Sequence, residues 1–293
     1  MKISVIICTI NRDKELKKCL FSLKNQSRRP DEIIIVSNKK YRIPGAKIYT
    51  PNTGLPQARN LGLSKTDADI IFFFDDDTIV DRDYIKNVIK VFEEHPDAGG
   101  VTGRILERKK HRIKTGLLGR IMKLYARLFG ISGFFVNLDG IGRVLDTGFT
   151  VTNFEKIKFL QKVEILSGCN MAYSRKAIEK TGLFDEGYIG NAYYEDADYS
   201  YRVFLNGFSL YATPDAVVDH IVTPTNRASL PKLKYFQLVN QKRFFRKNVY
   251  RGSIKRLVRY KISRWALFIP ILVFSIYFKN LDMIKYYIKA ELR

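Results

Sequence analysis

Apolar residues follow two rhythms along this chain. Ile3–Thr9, Glu32–Ser37 and residues 70–74 are short, nearly unbroken apolar runs rich in β-branched side chains, and they predict buried strands. Between them the period lengthens. Asp13 opens a stretch with Leu16, Leu20 and Leu23 on one side, which predicts a capped helix. Residues 57–64 and 81–94 predict two more helices, the second ending before Pro96. Further on, the pattern predicts a strand at 170–173, a helix after Ser174, and a helix over 194–206 stopped by Gly207. Strands follow at 209–212 and 216–219. Strands alternating with helices predict an α/β fold around a mixed, mostly parallel sheet, with ligands at the carboxyl ends of the strands. Residues 106–160 break this alternation and read as a basic, glycine-punctuated insertion. After Ser229 the pattern is helical. The expected division is therefore a domain over 1–225, carrying the insertion, and a helical region over 226–293.

Charge changes the picture at two places. The 51 Lys and Arg against 29 Asp and Glu give a net charge of +22, which implies polyanionic company. Residues 227–264 hold 13 basic residues and no acid, and residues 104–127 hold 9 with Glu107 as the one acid. No base-reading motif accompanies them, so nucleic acid is not the expected partner. Phosphate groups and an anionic membrane surface are. Cys8, Cys19 and Cys169 match no metal spacing or disulfide framework, which suggests a reducing compartment. Met1-Lys2 runs at once into a strand, so no signal peptide is expected.

Candidate chemistry falls at strand and helix ends. Asp75-Asp76-Asp77 directly follows four apolar residues. Adjacent carboxylates repel unless a cation neutralises them, and hard oxygen ligands suit Mg²⁺ or Mn²⁺. A solvated turn capping the next helix is the plainer alternative. At Glu195-Asp196-Ala197-Asp198, Arg202 stands four residues after Asp198 and can pair with it. Asp196 is then left near a helix start, where an ionised carboxylate is favoured and can act as a general base. A cap without chemistry is the alternative there.

Taken in order, these motifs resemble an inverting family 2 glycosyltransferase of GT-A fold. The matching residues are Thr9-Ile10-Asn11-Arg12, the run 52–60 ending in Ala58-Arg59-Asn60, the acidic triple, Gly168-Cys169-Asn170, and Glu195 through Asp198 with Arg202 and Gly207. The resemblance spans residues 3–220. It implies a single displacement in which Asp196, supported by Glu195, deprotonates an acceptor hydroxyl that attacks a nucleoside-diphosphate sugar. It places Thr9, Asn11 and Arg12 at the base and ribose, Arg59 at the diphosphate, and Asp75 at the ribose or sugar. Asp76 becomes the less constrained middle acid of the donor site. Gly168 and Asn170 would line the donor-sugar end. Asp77, with His220 at the end of the 216–219 strand, would hold Mn²⁺ or Mg²⁺. Relatives commonly carry an aspartate after the second strand that reads uracil; Ser37 stands there instead, and since it or Asn38 could still hydrogen-bond a base, the resemblance keeps Ser37 in the donor site and leaves the nucleobase open. A nucleotidyltransferase is disfavoured, because no glycine-rich phosphate loop is present near the start. A basic membrane- or nucleic-acid-binding protein with a degenerate transferase fold is disfavoured by intact Asp77 and Asp196.

Residues 265–278 carry no charge, yet 14 helical residues span about 21 Å, short of a bilayer core about 30 Å thick. Pro270 interrupts them. A buried helix fits this stretch, as does a monotopic or re-entrant anchor, and the basic residues before it favour the anchor. Residues 117–135 suggest a second lipid contact. The expected setting is thus the cytoplasmic face of a membrane, with a lipid-linked glycan as acceptor.

Overall fold

The computed structural model describes residues 1–50, 54–106, 117–221, 228–277 and 279–293. Asn52 and Thr53 of the 52–60 motif, residues 107–116 of the first basic run, Arg227 and Phe278 lie outside the described residues. The elements run β1 (Ile3–Thr9), α1 (Asp13–Lys24), β2 (Glu32–Ser37), β3 (Ala46–Tyr49), α2 (Leu55–Leu63), β4 (Ile70–Asp75) and β5 (Thr78–Val80). Then come α3 (Tyr84–Glu94), β6 (Ala98–Leu106), α4 (Leu117–Phe129), β7 (Arg143–Val144), β8 (Thr150–Val151), β9 (Gln161–Val163) and β10 (Asn170–Ser174). The rest are α5 (Arg175–Thr181), α6 (Glu195–Leu205), β11 (Ser209–His220), α7 (Leu230–Phe244), α8 (Ile254–Tyr277) and α9 (Asp282–Leu292).

Two compact units share the chain. The first comprises Met1–Lys110, Phe154–Glu186 and Asp196–Thr225; the second comprises His111–Asn153, Gly187–Glu195 and Asn226–Arg293. Most of the expected insertion thus groups with the C-terminal helices, and not with the sheet that flanks it in sequence.

The first unit is built on a mixed sheet ordered β3-β2-β1-β4-β10-β6-β11-β5, with β9 pairing β11. The stretch β3-β2-β1-β4 is parallel throughout, and β6 runs parallel to β11; β10 is antiparallel to both its neighbours. β1 and β4 are apolar on both faces because both faces are covered, which is why they lack polar alternation. Leu16, Leu20 and Leu23 of α1 and Ile85 and Val88 of α3 pack on this sheet. Asp13 does not cap α1. Its carboxylate instead accepts from Tyr41 at 2.6 Å and Lys39 at 3.2 Å.

Register brings the site together. Thr9 pairs with Ser37, and Cys8 with Asp75, so the carboxyl ends of β1, β2 and β4 are level. The two expected strands at 209–212 and 216–219 are one strand, β11, with an irregularity between Thr213 and Val217. Its last residue, His220, pairs with Thr78 of β5, and the Ile221 N–H donates to the Asp77 carbonyl at 2.8 Å.

The second unit is helical around a core of Phe149, Leu238, Leu267 and Ile271. Arg264 of α8 is buried and donates to the Leu238 carbonyl and Gln241 Oε1 of α7, both at 3.1 Å, and to Glu291 of α9 at 2.7 Å. The uncharged stretch is the second half of α8, which runs through Pro270. Among the described residues, no helix is long and apolar enough to cross a membrane.

Candidate active site

The acidic triple sorts itself by partner. Asp76 turns inward: its carboxylate accepts from Thr9 Oγ1 at 2.6 Å and from Arg12 Nη1 at 3.0 Å, and it is buried. Burial pushes its carboxyl up to about 6, against the downward pull of Thr9 and Arg12. The middle acid, expected to be the less constrained of the three, is thus held on both oxygens by β1 and the turn that follows. Arg12 spans Asp76 and Asp77, the latter at 3.2 Å, so its guanidinium is directed at the acids.

Asp75 and Asp77 flank that inward residue and face His220. His220 Nε2 lies 3.0 Å from Asp77 Oδ1 and 3.9 Å from Asp75 Oδ2. One ligand atom from each of Asp75, Asp77 and His220 lies within 4.8 Å of the others. Two carboxylate oxygens and an imidazole nitrogen form a donor set that suits Mn²⁺ or Mg²⁺ and could hold either. The charges respond to this crowding. Burial lowers the His220 pKa, but the Asp77 carboxylate, Cys169 and Asp75 outweigh it and raise it to about 11. Asp75 is pushed above the ordinary carboxylate range by burial, and by Asp77 and Asp196, while Arg59 and His220 pull it back. Asp75 as a third candidate ligand was not foreseen, since three consecutive acids look alike in sequence.

Arg59 is fully enclosed. Its guanidinium packs 5.9 Å from the Phe73 ring centre and 5.6 Å from that of Phe184, donates to the Gly168 carbonyl at 3.0 Å, and stands 3.5 Å from Asp75. Its charge bears on the site through Asp75 and the Gly168 backbone. Phe184 is fixed in turn by Asn60, whose side chain exchanges hydrogen bonds with the Phe184 backbone at 2.8 and 3.0 Å. No sequence signal marked Phe184.

Gly168 links the two ends of the site. Its N–H donates to Asp196 Oδ2 at 2.9 Å, and a Cβ added there would meet that oxygen at 2.8 Å. Asp198 pairs with Arg202 at 2.9 Å, as their spacing suggests, while Asp196 stays partly exposed at the start of α6. Glu195 is buried, groups with the second unit, and donates its N–H to the Ala192 carbonyl at 2.9 Å.

Asn170 is buried in β10, its amide donates to the Gly103 carbonyl at 3.1 Å, and its oxygen accepts from Thr102 at 2.6 Å. Hydrogen bonds to Thr102 and Gly103 of β6 thus use both ends of the side chain. Ser37 is also buried and accepts from the Lys39 N–H at 3.1 Å, while Asn38 reaches Asn11, which has a positive φ of 55°, at 3.4 Å.

Comparison with known proteins agrees with this architecture. A curated relative from Methanococcus voltae, a dolichyl N-acetyl-alpha-D-glucosaminyl phosphate 3-beta-D-2,3-diacetamido-2,3-dideoxy-beta-D-glucuronosyltransferase, is 24% identical over 280 residues, covering 87% of this chain and 73% of its own. Two other curated relatives are matched over only 15% and 42% of their length. Among solved structures, mannosyltransferase PcManGT from Pyrobaculum calidifontis, in complex with GDP-Man and Mn²⁺, superposes with a TM-score of 0.59 at 14% identity. That superposition covers 99% of this chain and 86% of the other. GalNAc-T7 with UDP, GalNAc and Mn²⁺ gives the same TM-score at 17% identity, over 84% and 48%. These two likenesses carry the fold, which is GT-A. The family description Glycosyl transferase family 2 matches residues 4–182, more than half of the sequence, and the chain belongs to that family.

Proposed function

We propose that this protein moves a sugar, with inversion, from a nucleoside-diphosphate sugar to an acceptor hydroxyl, with Asp196 as general base. The carrying observation is the juxtaposition at the sheet's carboxyl edge. Asp75, Asp77 and His220 form one anionic cluster, and Gly168 holds Asp196 beside it. Asp196 accepts the hydroxyl proton on a carboxylate that the backbone N–H groups of Gly168 and Ala197, each at 2.9 Å, aim without neutralising. Arg59 orients Asp75 and the Gly168 loop, and Arg12 fixes Asp76 and Asp77, so the site is set before substrate arrives. Asp75, Asp77 and His220 would hold Mn²⁺ or Mg²⁺, which when bound stabilises the charge of a departing diphosphate. The two solved structures of like fold, one with UDP, GalNAc and Mn²⁺ and the other with GDP-Man and Mn²⁺, support this choice of metal and of donor class. The name of the M. voltae relative supports a lipid-linked phosphate acceptor on a membrane surface.

The test is Asp196→Asn. Transfer is expected to fall by about 10³-fold while nucleotide-sugar affinity changes little, because the amide keeps shape and loses basicity. Turnover within tenfold of the parent removes Asp196 from the base role.

A further inference from the structure

α8 is apolar on two opposite faces. One face, with Leu267, Pro270 and Ile271, is buried in the core of the second unit. The other carries Ile254, Val258, Ile262, Trp265, Ile269, Val273 and Ile276, all exposed. Their spacing of three and four residues gathers them into a stripe roughly 100° wide along the whole helix. Trp265 is 78% exposed, and Ile269, Val273 and Ile276 are 56%, 62% and 65% exposed. α4 repeats the arrangement, with Leu117, Ile121, Leu124 and Leu128 exposed at the same helical spacing. Single exposed apolar residues need no explanation; a stripe running the length of a helix marks a surface that something covers.

Charge selects the cover. α8 holds Lys255, Arg256, Arg259, Lys261 and Arg264 and no acidic residue; Arg264 is buried against Glu291, and Arg256 and Arg259 share Asp146. Lys261 falls on one flank of the stripe and Lys255 on the other, both exposed, and Arg259 lies beside Lys255 in its pair with Asp146. A second copy of this chain would bring one basic-edged stripe against another, because a two-fold interface uses the same patch on both sides, and α8 has no acid to meet those edges. An anionic lipid surface takes both the apolar stripe and its basic edges. The cations occupy the first half of α8, which prevents spanning and leaves the helix in the plane of the interface, with Trp265 and Tyr277 at headgroup depth.

We infer that the outward face of α8 lies on anionic lipid, seconded by that of α4. This contact stands on the surface alone and does not depend on the transfer reading. Trp265 is the chain's one tryptophan, so its emission reports on the stripe directly. The full chain is titrated with vesicles of phosphatidylcholine alone and of phosphatidylcholine with phosphatidylglycerol, following Trp265 emission and co-sedimentation. With the anionic vesicles, emission shifts to shorter wavelength and the protein pellets. The variant carrying Ile269→Ser, Val273→Ser and Ile276→Ser binds about a hundredfold more weakly. Its far-UV spectrum and unfolding midpoint match the parent, since each position is more than half exposed. A parent chain that stays in the supernatant with unshifted Trp265 emission overturns the inference. So does a lipid-free dimer in which Trp265 is already shifted, since a second copy then covers the stripe. A chain that binds vesicles but transfers from no sugar nucleotide overturns the transfer reading and leaves this one standing.

Discussion

The missing side chain of Gly168 sets where Asp196 stands. Its N–H supports the carboxylate, its carbonyl receives Arg59, and a methyl group there would also press within 3.0 Å of Asp196 Cβ. Gly168→Ala is therefore expected to lower turnover by about 10²-fold, the scale of an ångström's misplacement, with little change in unfolding midpoint. Unchanged turnover in a folded variant would separate this contact from the chemistry. The acids and the histidine were legible as residues because they sit at strand ends. Their division of labour was not. What distinguishes Asp76 from its neighbours is Thr9 and Arg12, 67 and 64 positions away, and that pairing exists only once β1 and β4 are in register. The hydrogen bonds of Asn170 to Thr102 and Gly103 were hidden for the same reason, since they form only once β10 lies beside β6.

Among the elements, the strongly apolar strands β1, β2 and β4 were readable and β6 was not. Ala98-Gly99-Gly100-Val101-Thr102-Gly103 has poor strand propensity, yet it lies inside the sheet between β10 and β11. Packing overrides propensity there: a Cβ at Gly103 would meet the Ala216 carbonyl oxygen at 2.2 Å, so the chain can pass only without a side chain. β11 read as two strands because Pro214 and Asp215 interrupt its pattern at the irregularity. On α7, Lys234 donates to Gln237 Oε1 at 3.0 Å and sits 4.3 Å over the Phe134 ring. Burial lowers its pKa from 10.5 to about 8. Below pH 8 both folded and unfolded chains hold the proton, and the cost of the buried charge is fully present. Between 8 and 10.5 the unfolded chain binds more protons, so stability rises with pH through that window. The stability difference between the parent and Lys234→Met, measured by urea unfolding, should shift by about 2 kcal/mol in the parent's favour across it. A difference that is flat with pH would mean the ammonium is solvated.

On the scale of the molecule, the charge of +22 and the outward stripe of α8 make separable claims. Raising salt from about 0.1 M to 1 M shrinks the Debye length from about 10 Å to 3 Å and silences the cations, but it leaves apolar burial intact. Vesicle-bound protein is therefore expected to be released only partly by salt and fully by detergent, as read by sedimentation. Complete release by salt would reduce the contact to charge alone. The interleaving of the two units carries a further consequence, for the order of events during synthesis. A ribosome delivers 111–153 and 187–195 well before 226–293, yet Phe149 and Val151 share their core with Leu238, Leu267 and Ile271. The early segments must wait, unburied, while the sheet around them completes. A stop codon near position 226 would not trim an appendage from a finished enzyme. It would strand the first half of a core without the second, and such a nascent chain is a client for chaperones and proteases.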